Sequence, residues 1–194
     1  MPFDASSRPP ATSTGEKVAK LNEFIASDLD TRTARGLQTA GGIYLLIARS
    51  PESPVAQALR AHAIGLAAMG IRTRAIFSEI EPTHAGALPA PFAQPGECRV
   101  VRDQRLIAAH EQLVLAPDYA WIGDSMRREP SRRDTFERFA PASAEVAMQA
   151  TRSFERLWRA TVAIESVPAM PAAIASHFPS LAVEQQHPEN PRRQ

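Results

Sequence analysis

One stretch, residues 99–125, holds the side chains best suited to chemistry. His110 stands immediately before an apolar segment at 112–116, and a Pro-Asp pair, a second apolar segment and Gly123 follow. An imidazole in such a place is either a nucleophile or a structural side chain beside a strand. From the residues alone we favour the structural interpretation, so any chemistry proposed for this chain depends on what surrounds His110.

Other common site signatures do not occur. There is no Gly-x-Gly-x-x-Gly, no phosphate loop ending in Gly-Lys-Ser/Thr and no Gly-x-Ser-x-Gly elbow. The five histidines share no metal-ligand spacing, and the single Cys98 excludes an internal disulfide. Asp28 and Asp30 could together hold a cation, but such a pair more often marks a loop or a helix cap. We therefore predict no metal and no cofactor.

Charge is nearly balanced along the 194 residues, with 22 basic and 21 acidic side chains and a formal net charge of +1. Such a chain has no overall field that would attract nucleic acid or a membrane surface, so we do not expect nucleic acid as a partner. The segment 127–138 carries five arginines against three acidic residues. We interpret it as a solvated, salt-bridged loop, although it is also the best candidate for binding an anion.

The hydrophobic fraction of 44% is enough for one domain with a real core. Proline distribution predicts a flexible tail over 1–15, a single domain over 16–165 and a Pro-rich tail over 166–194, in which residues 172–178 are expected to dock on the body. No stretch approaches the roughly 18 apolar residues of a membrane helix, and the first residues lack the apolar core of a secretory signal. We expect a cytoplasmic protein.

The elements that position His110 follow from hydrophobic spacing. Ser13 and Glu16 have capping-box spacing and begin a helix, and residues 30–40 predict a second short helix that Gly41-Gly42 stops. The unbroken apolar run 43–48 predicts a strand buried on both faces. A helix over 54–69 and a strand over 71–78 would then complete a parallel βαβ unit.

The second half predicts short strands followed by a long helix. Strands are expected at 98–101, 112–116 and 119–122, the last two joined by a tight turn at Pro117-Asp118. The apolar stripe within 143–162 predicts the longest helix. Together these elements indicate an α/β fold with a mixed sheet flanked by helices.

The order of these residues resembles the phospholipase D superfamily. Its signature is His-x-Lys, then an Asp, then a Gly-Ser with a nearby Asn, and then an acidic residue and a closing Phe-x-x-x-Trp helix. His110 and Gly123 match their positions, Phe136-Glu137 falls at the acidic position, and Phe154 with Trp158 matches the ending. The resemblance spans roughly residues 24–161 and implies a phospholipase D/nuclease-like fold.

In that superfamily an imidazole attacks a phosphodiester to give a phosphohistidine, while Lys neutralises the nonbridging oxygens. Because two motifs must meet, the resemblance implies that a single-motif chain works as a homodimer. Here Gln112 replaces the Lys, Pro117 occupies the Asp position with Asp118 one residue late, and Asp124 replaces the Ser. Loss of one charge-stabilising donor typically costs about 10²–10³ in rate. The resemblance thus implies a degenerate, non-catalytic member.

Three functional hypotheses follow. The first is a non-catalytic domain that binds an anionic, phosphate-containing ligand or a protein partner. Its site would consist of His110, Gln112, Asp118, Asp124, Ser125 and Glu137. The second is an active phosphodiesterase or phosphatidyl-transfer enzyme, working as a homodimer through a phosphohistidine on His110. The third is an α/β scaffold for protein assembly without a small-molecule site.

Overall fold

A computed structural model describes residues 13–37, 41–80, 88–94, 96–127 and 136–164. The docking piece predicted at 172–178, nearly all of both predicted tails and most of the segment 127–138 lie outside the described residues. The division into one domain with two tails therefore stays a prediction.

Within the described residues, seven strands form one mixed sheet in the order β6-β5-β4-β1-β2-β3-β7. They are β1 Gly42–Ala48, β2 Ile71–Phe77, β3 Cys98–Val100, β4 His110–Ala116, β5 Tyr119–Ser125, β6 Arg138–Ala140 and β7 Val162–Ala163. β2 is parallel to β1 and β3, whereas β4 is antiparallel to both β1 and β5. The predicted βαβ unit and the predicted hairpin are both confirmed.

Helices cover the two faces of this sheet unequally. They are α1 Thr14–Ala34, α2 Pro54–Ala61, α3 Ala63–Ala68 and α4 Ala144–Ala160, with a short 3-10 helix at Gln104–Ala108. Tyr44 and Leu46 of β1 pack in the core with α1, α2 and α3, while Leu45 and Ile47 pack with α4. Both faces of the central strands are thus buried, which explains their unbroken apolar sequence. The expected α/β architecture, a mixed sheet flanked by helices, is confirmed.

The first helix is longer than predicted. Its capping box forms as expected, with Glu16 N donating to Ser13 Oγ at 3.2 Å and Ser13 N donating to Glu16 Oε2 at 2.7 Å. Instead of stopping before a second helix at 30–40, it continues to Ala34 and gives way to Gly36, whose φ of +68° suits glycine. Asp28 therefore lies inside a helix and not in a loop, which corrects the interpretation of Asp28 and Asp30.

Two other boundaries also differ from prediction. The helix expected over 54–69 is divided at His62 into α2 and α3. The helix expected over 143–162 ends at Ala160 because Thr161 is extended, and Val162–Ala163 joins the edge of the sheet as β7. With 17 residues α4 is shorter than α1, which has 21, so the prediction that it is the longest helix is wrong. β7 pairs with β3, so the end of α4 is fixed to the strand edge farthest from the hairpin of β4 and β5.

Candidate functional site

The hairpin of β4 and β5 sets the position of most of the predicted site residues. His110 opposes Ser125 in the register and Gln112 opposes Ile122, with an irregularity between these two pairs. Because β4 runs antiparallel to β1, the start of β4 lies beside the end of β1. We call this end of the sheet the His110 edge.

His110 is exposed, and one of its ring nitrogens is anchored. Nδ1 lies 2.7 Å from the carbonyl oxygen of Gly123, and the ring meets that of Phe136 edge-on with centroids 6.0 Å apart. A carbonyl can only accept, so Nδ1 carries the proton in the neutral imidazole. The unprotonated nitrogen is then Nε2, which makes no hydrogen bond to any described residue.

Gly123 has a packing reason to be glycine. A Cβ at this position would lie 2.4 Å from the ring of Trp121, which is fully buried. No side chain fits there unless the indole moves. The backbone carbonyl that holds His110 is consequently fixed by the core beneath it.

Asp124 and Ser125 join segments of the chain at the His110 edge. Asp124 Oδ1 accepts a hydrogen bond from Phe136 N at 3.0 Å. The Ser125 hydroxyl donates to Ala108 O at 3.1 Å and accepts from Arg127 N at 3.3 Å. Both side chains lie near His110, but their polar atoms are engaged by the protein's own backbone.

Gln112 lies under α4. Its side chain is 3% exposed, and Nε2 donates to the carbonyl oxygen of Ala150, within α4, at 2.8 Å. The amide therefore anchors the helix to the sheet and is not presented to solvent. A longer, charged side chain here would need to displace α4 or bury its ammonium group.

Asp118 and Glu137 lie apart from His110. Asp118 is in the turn after β4, eight residues from His110, on the order of 25 Å along an extended strand. Its carbonyl accepts from Ser143 N at 2.7 Å, so this turn fixes the start of α4. Glu137 lies 3.4 Å from Lys17 of α1, on the face of the sheet opposite Gln112. The structure gathers His110, Asp124 and Ser125 and leaves the other three residues outside the cluster.

Sequence reasoning missed Arg49, which follows β1 at the His110 edge. Its backbone N–H donates to Glu111 Oε1 at 3.0 Å, and its guanidinium donates twice to Met126 O, at 3.1 and 2.7 Å. The guanidinium also lies 3.8 Å from Glu79. The sequence shows only that Arg49 directly follows a buried strand. The structure adds that the strand order reverses at β1, which is a common location for ligand sites.

Within the described ranges, no group of three His, Cys, Asp or Glu side chains is arranged to hold a metal ion. In the same ranges, no helix is both long enough and apolar enough to cross a membrane.

Comparison with known proteins gives little further information. No family model matches the chain, and no curated protein matches it. Among solved structures, NucT from Helicobacter pylori is similar, with 8% sequence identity, coverage of 77% of this chain and 92% of that chain, and a TM-score of 0.46. A similarity at this level identifies neither a family nor an activity.

Proposed function

We propose that this chain is a phospholipase D-like domain that has lost phosphodiester chemistry and acts by binding. The observation that carries the proposal is the burial of Gln112. This residue stands at the position of the superfamily's Lys, and its buried amide donates a hydrogen bond to Ala150 O beneath α4. Without a cation at that position, the charge that develops on a phosphodiester during attack is not neutralised.

Two further positions support loss of catalysis. Asp124 replaces the Ser, so the hydroxyl that would donate to a phosphate oxygen is absent at this position. Its Oδ1 is also engaged by Phe136 N. Glu137, at the acidic position, faces Lys17 of α1 and not His110.

The ligand we propose is a small phosphate-containing anion bound at the His110 edge. His110 is exposed there, and its Nε2 is left available by the bond between Nδ1 and Gly123 O. Arg127 is exposed next to it, held through its backbone to Ser125. A protonated imidazole and a guanidinium are suitable donors for phosphate oxygens.

Hydrolysis of bis(p-nitrophenyl) phosphate by the full chain tests the loss of catalysis. We expect equal background rates for the native chain and for His110→Ala. Binding is tested separately by calorimetric titration with p-nitrophenyl phosphate, for which we expect His110→Ala and Arg127→Gln each to weaken affinity. Absence of binding by the native chain would overturn the ligand proposal.

One observation favours the active homodimer as a second candidate. The bond from Nδ1 to Gly123 O favours the tautomer in which Nε2 of this exposed side chain carries the lone pair, as a nucleophile requires. This candidate requires a His110-dependent rate, a trapped phosphohistidine and a dimer by light scattering. A monomer with no His110-dependent rate would eliminate it.

A further inference from the structure

The outer face of α4 carries a row of arginines. Arg152, Arg156 and Arg159 are exposed and spaced four and three residues apart, which places them on one side of the helix over about 10 Å. The opposite side of α4 is apolar and buries Phe154 and Trp158 against the sheet. None of the three arginines makes a hydrogen bond or ion pair with any residue that the structure describes.

Two acidic residues near this row, Glu97 and Glu155, are paired with other arginines, and a third, Glu145, lies two turns before Arg152 and accepts a hydrogen bond from Gln149 Nε2 at 3.3 Å. Arg74 lies 3.2 Å from Glu97 and 3.5 Å from Glu155, and Arg72 lies 3.0 Å from Glu97. Glu155, the acidic side chain between the exposed arginines of α4, is thus engaged from the sheet side. The three exposed guanidinium groups keep their full charge.

Trp158, on the side of α4 that faces the sheet, contacts two further arginines. The guanidinium groups of Arg74 and Arg99 lie 4.7 and 4.6 Å from the centre of its ring, and Arg99 also donates to Trp158 O at 2.7 Å. We call the three exposed arginines, Arg152, Arg156 and Arg159, the α4 arginine face. Arg72 and Arg74 add no net charge to it, because they are paired with Glu97 and Glu155.

We propose that the α4 arginine face binds the sugar–phosphate backbone of a nucleic acid without reading its sequence. Guanidinium groups form paired hydrogen bonds with phosphate oxygens, and interfaces of this kind are polar and strongly positive. The helix dipole alone would favour a cation in the last turn, which accounts for Arg159 but not for Arg152 two turns earlier.

A protein partner fits this surface less well. Protein interfaces generally contain an apolar core, but here the half-exposed apolar side chains only flank the row. Ile43 and Met148 line a cavity of about 590 Å³ that Arg152 also borders, and Val162 lies three residues after Arg159. The proposal departs from the expectation based on net charge, because a chain of +1 overall concentrates positive charge on one face. It does not depend on the His110 edge, since the cavity beside this face lies where β1 begins.

Fluorescence polarisation with a labelled oligonucleotide of about 20 nucleotides tests the proposal, at salt concentrations from about 50 to 200 mM. The test variant is Arg152→Gln/Arg156→Gln/Arg159→Gln. The control is Lys20→Gln/Arg35→Gln/Arg102→Gln, which removes three exposed positive charges elsewhere. We expect at least a tenfold loss of affinity in the test variant, with a salt slope lower by about 2, and less than a threefold loss in the control.

Three results would overturn the proposal. The native chain could fail to bind the oligonucleotide at the lowest salt, or the two triple variants could lose affinity equally. Alternatively, poly-glutamate could displace the oligonucleotide at equal charge concentration, which would identify an acidic protein surface as the partner. Circular dichroism of both variants checks that the substitutions leave the fold intact, since all six side chains are exposed.

Discussion

The two ends of the sheet hold polar clusters of opposite character. Where β1 begins, Asp28 Oδ2 accepts from Tyr44 OH at 2.5 Å and from Arg32 Nε at 2.9 Å. Arg32 also donates to the carbonyl oxygens of Gly41 and Leu115. Where β1 ends, His110 has one ring nitrogen bonded to Gly123 O and the rest of its ring exposed.

The two clusters differ in whether their polar groups are fully engaged by the protein or still available to bind a ligand. Asp28 is 2% exposed, and the carboxylate oxygen of this cluster is shared by two donors from the protein itself. A buried cluster of this kind is stabilising because both partners are present, and it has no room for a ligand. At the His110 edge the imidazole has capacity left, so functional hypotheses belong there.

Of the substitutions that test this difference, Asp28→Ala should cause the largest loss of stability. It leaves the Tyr44 hydroxyl and the partly buried Arg32 without their shared acceptor, so we expect a loss of about 3 kcal/mol in the free energy of unfolding. Urea denaturation measures it. Asp30→Ala, exposed on the same helix, is the control and should cost less than about 0.5 kcal/mol. Equal losses would mean that the buried cluster is not a stabilising unit.

Gln112→Lys should have the next largest effect. It restores the residue type of the superfamily signature, but in this fold the ammonium group would be buried under α4. We expect a loss of about 2 kcal/mol by urea denaturation and no gain in phosphodiesterase rate. Gln112→Met, of similar length and uncharged, is the control and should cost less. If Gln112→Lys is as stable as the native chain and hydrolyses bis(p-nitrophenyl) phosphate, then α4 does not keep the side chain at position 112 away from substrate.

The same contrast shows what the sequence could predict. Strands β1 to β5, the hairpin at 117–118 and α4 follow from local apolar spacing and turn residues, and the structure contains them, whereas β6 and β7 were not predicted. The continuity of α1 did not follow, because its reason is tertiary: Asp28 faces Tyr44 of β1, sixteen residues away. In the sequence alone, Asp28 and Asp30 suggest a loop. Asp28 is a core residue because its carboxylate bonds to Tyr44 on β1.

Sequence spacing also brought together site residues that the structure separates. Glu137 follows His110 at the expected interval, yet it faces Lys17 on the other side of the sheet. Which face a residue takes depends on the register of β6, and residues 128–135, which lead into it, carry no apolar pattern to reveal that register. Gln112 could have been recognised as buried, since Leu113 and Leu115 alternate with Val114 in a strand covered on both faces.

Tyr44→Phe tests the buried cluster by pH. Burial raises the pKa of Tyr44 well above its usual value near 10, and the hydrogen bond to Asp28 adds to the shift. Above pH 10 the unfolded chain loses this proton while the folded chain keeps it, so the free energy of unfolding falls by up to about 1.4 kcal/mol per pH unit. Below pH 10 the group contributes no pH dependence.

In Tyr44→Phe this contribution to the pH dependence of the free energy of unfolding should disappear. The variant should also lose about 1 kcal/mol of stability at neutral pH, because the hydrogen bond to Asp28 is absent. Urea denaturation near neutral pH measures the loss of stability, and urea denaturation between about pH 9 and 11 measures the slope. Burial also raises the pKa of Cys98 to about 12, and this contribution persists in either variant. Tyr119→Phe is the control, because that side chain is only half-buried. An unchanged slope in Tyr44→Phe would mean that the phenol ionises in the folded state as it does in the unfolded chain.

The smallest effect on stability should come from His110→Ala. The side chain is exposed, and its bond to Gly123 O exchanges with water at little cost, so we expect a loss below about 0.5 kcal/mol. Gly123→Ala changes the other partner of this hydrogen bond and should be strongly destabilising, because its Cβ would meet the buried Trp121 ring. A loss above about 1.5 kcal/mol in His110→Ala would mean that His110, like Asp28, mainly stabilises the fold. The His110 edge would then be a second structural cluster, and the ligand proposed for it would have no imidazole to bind.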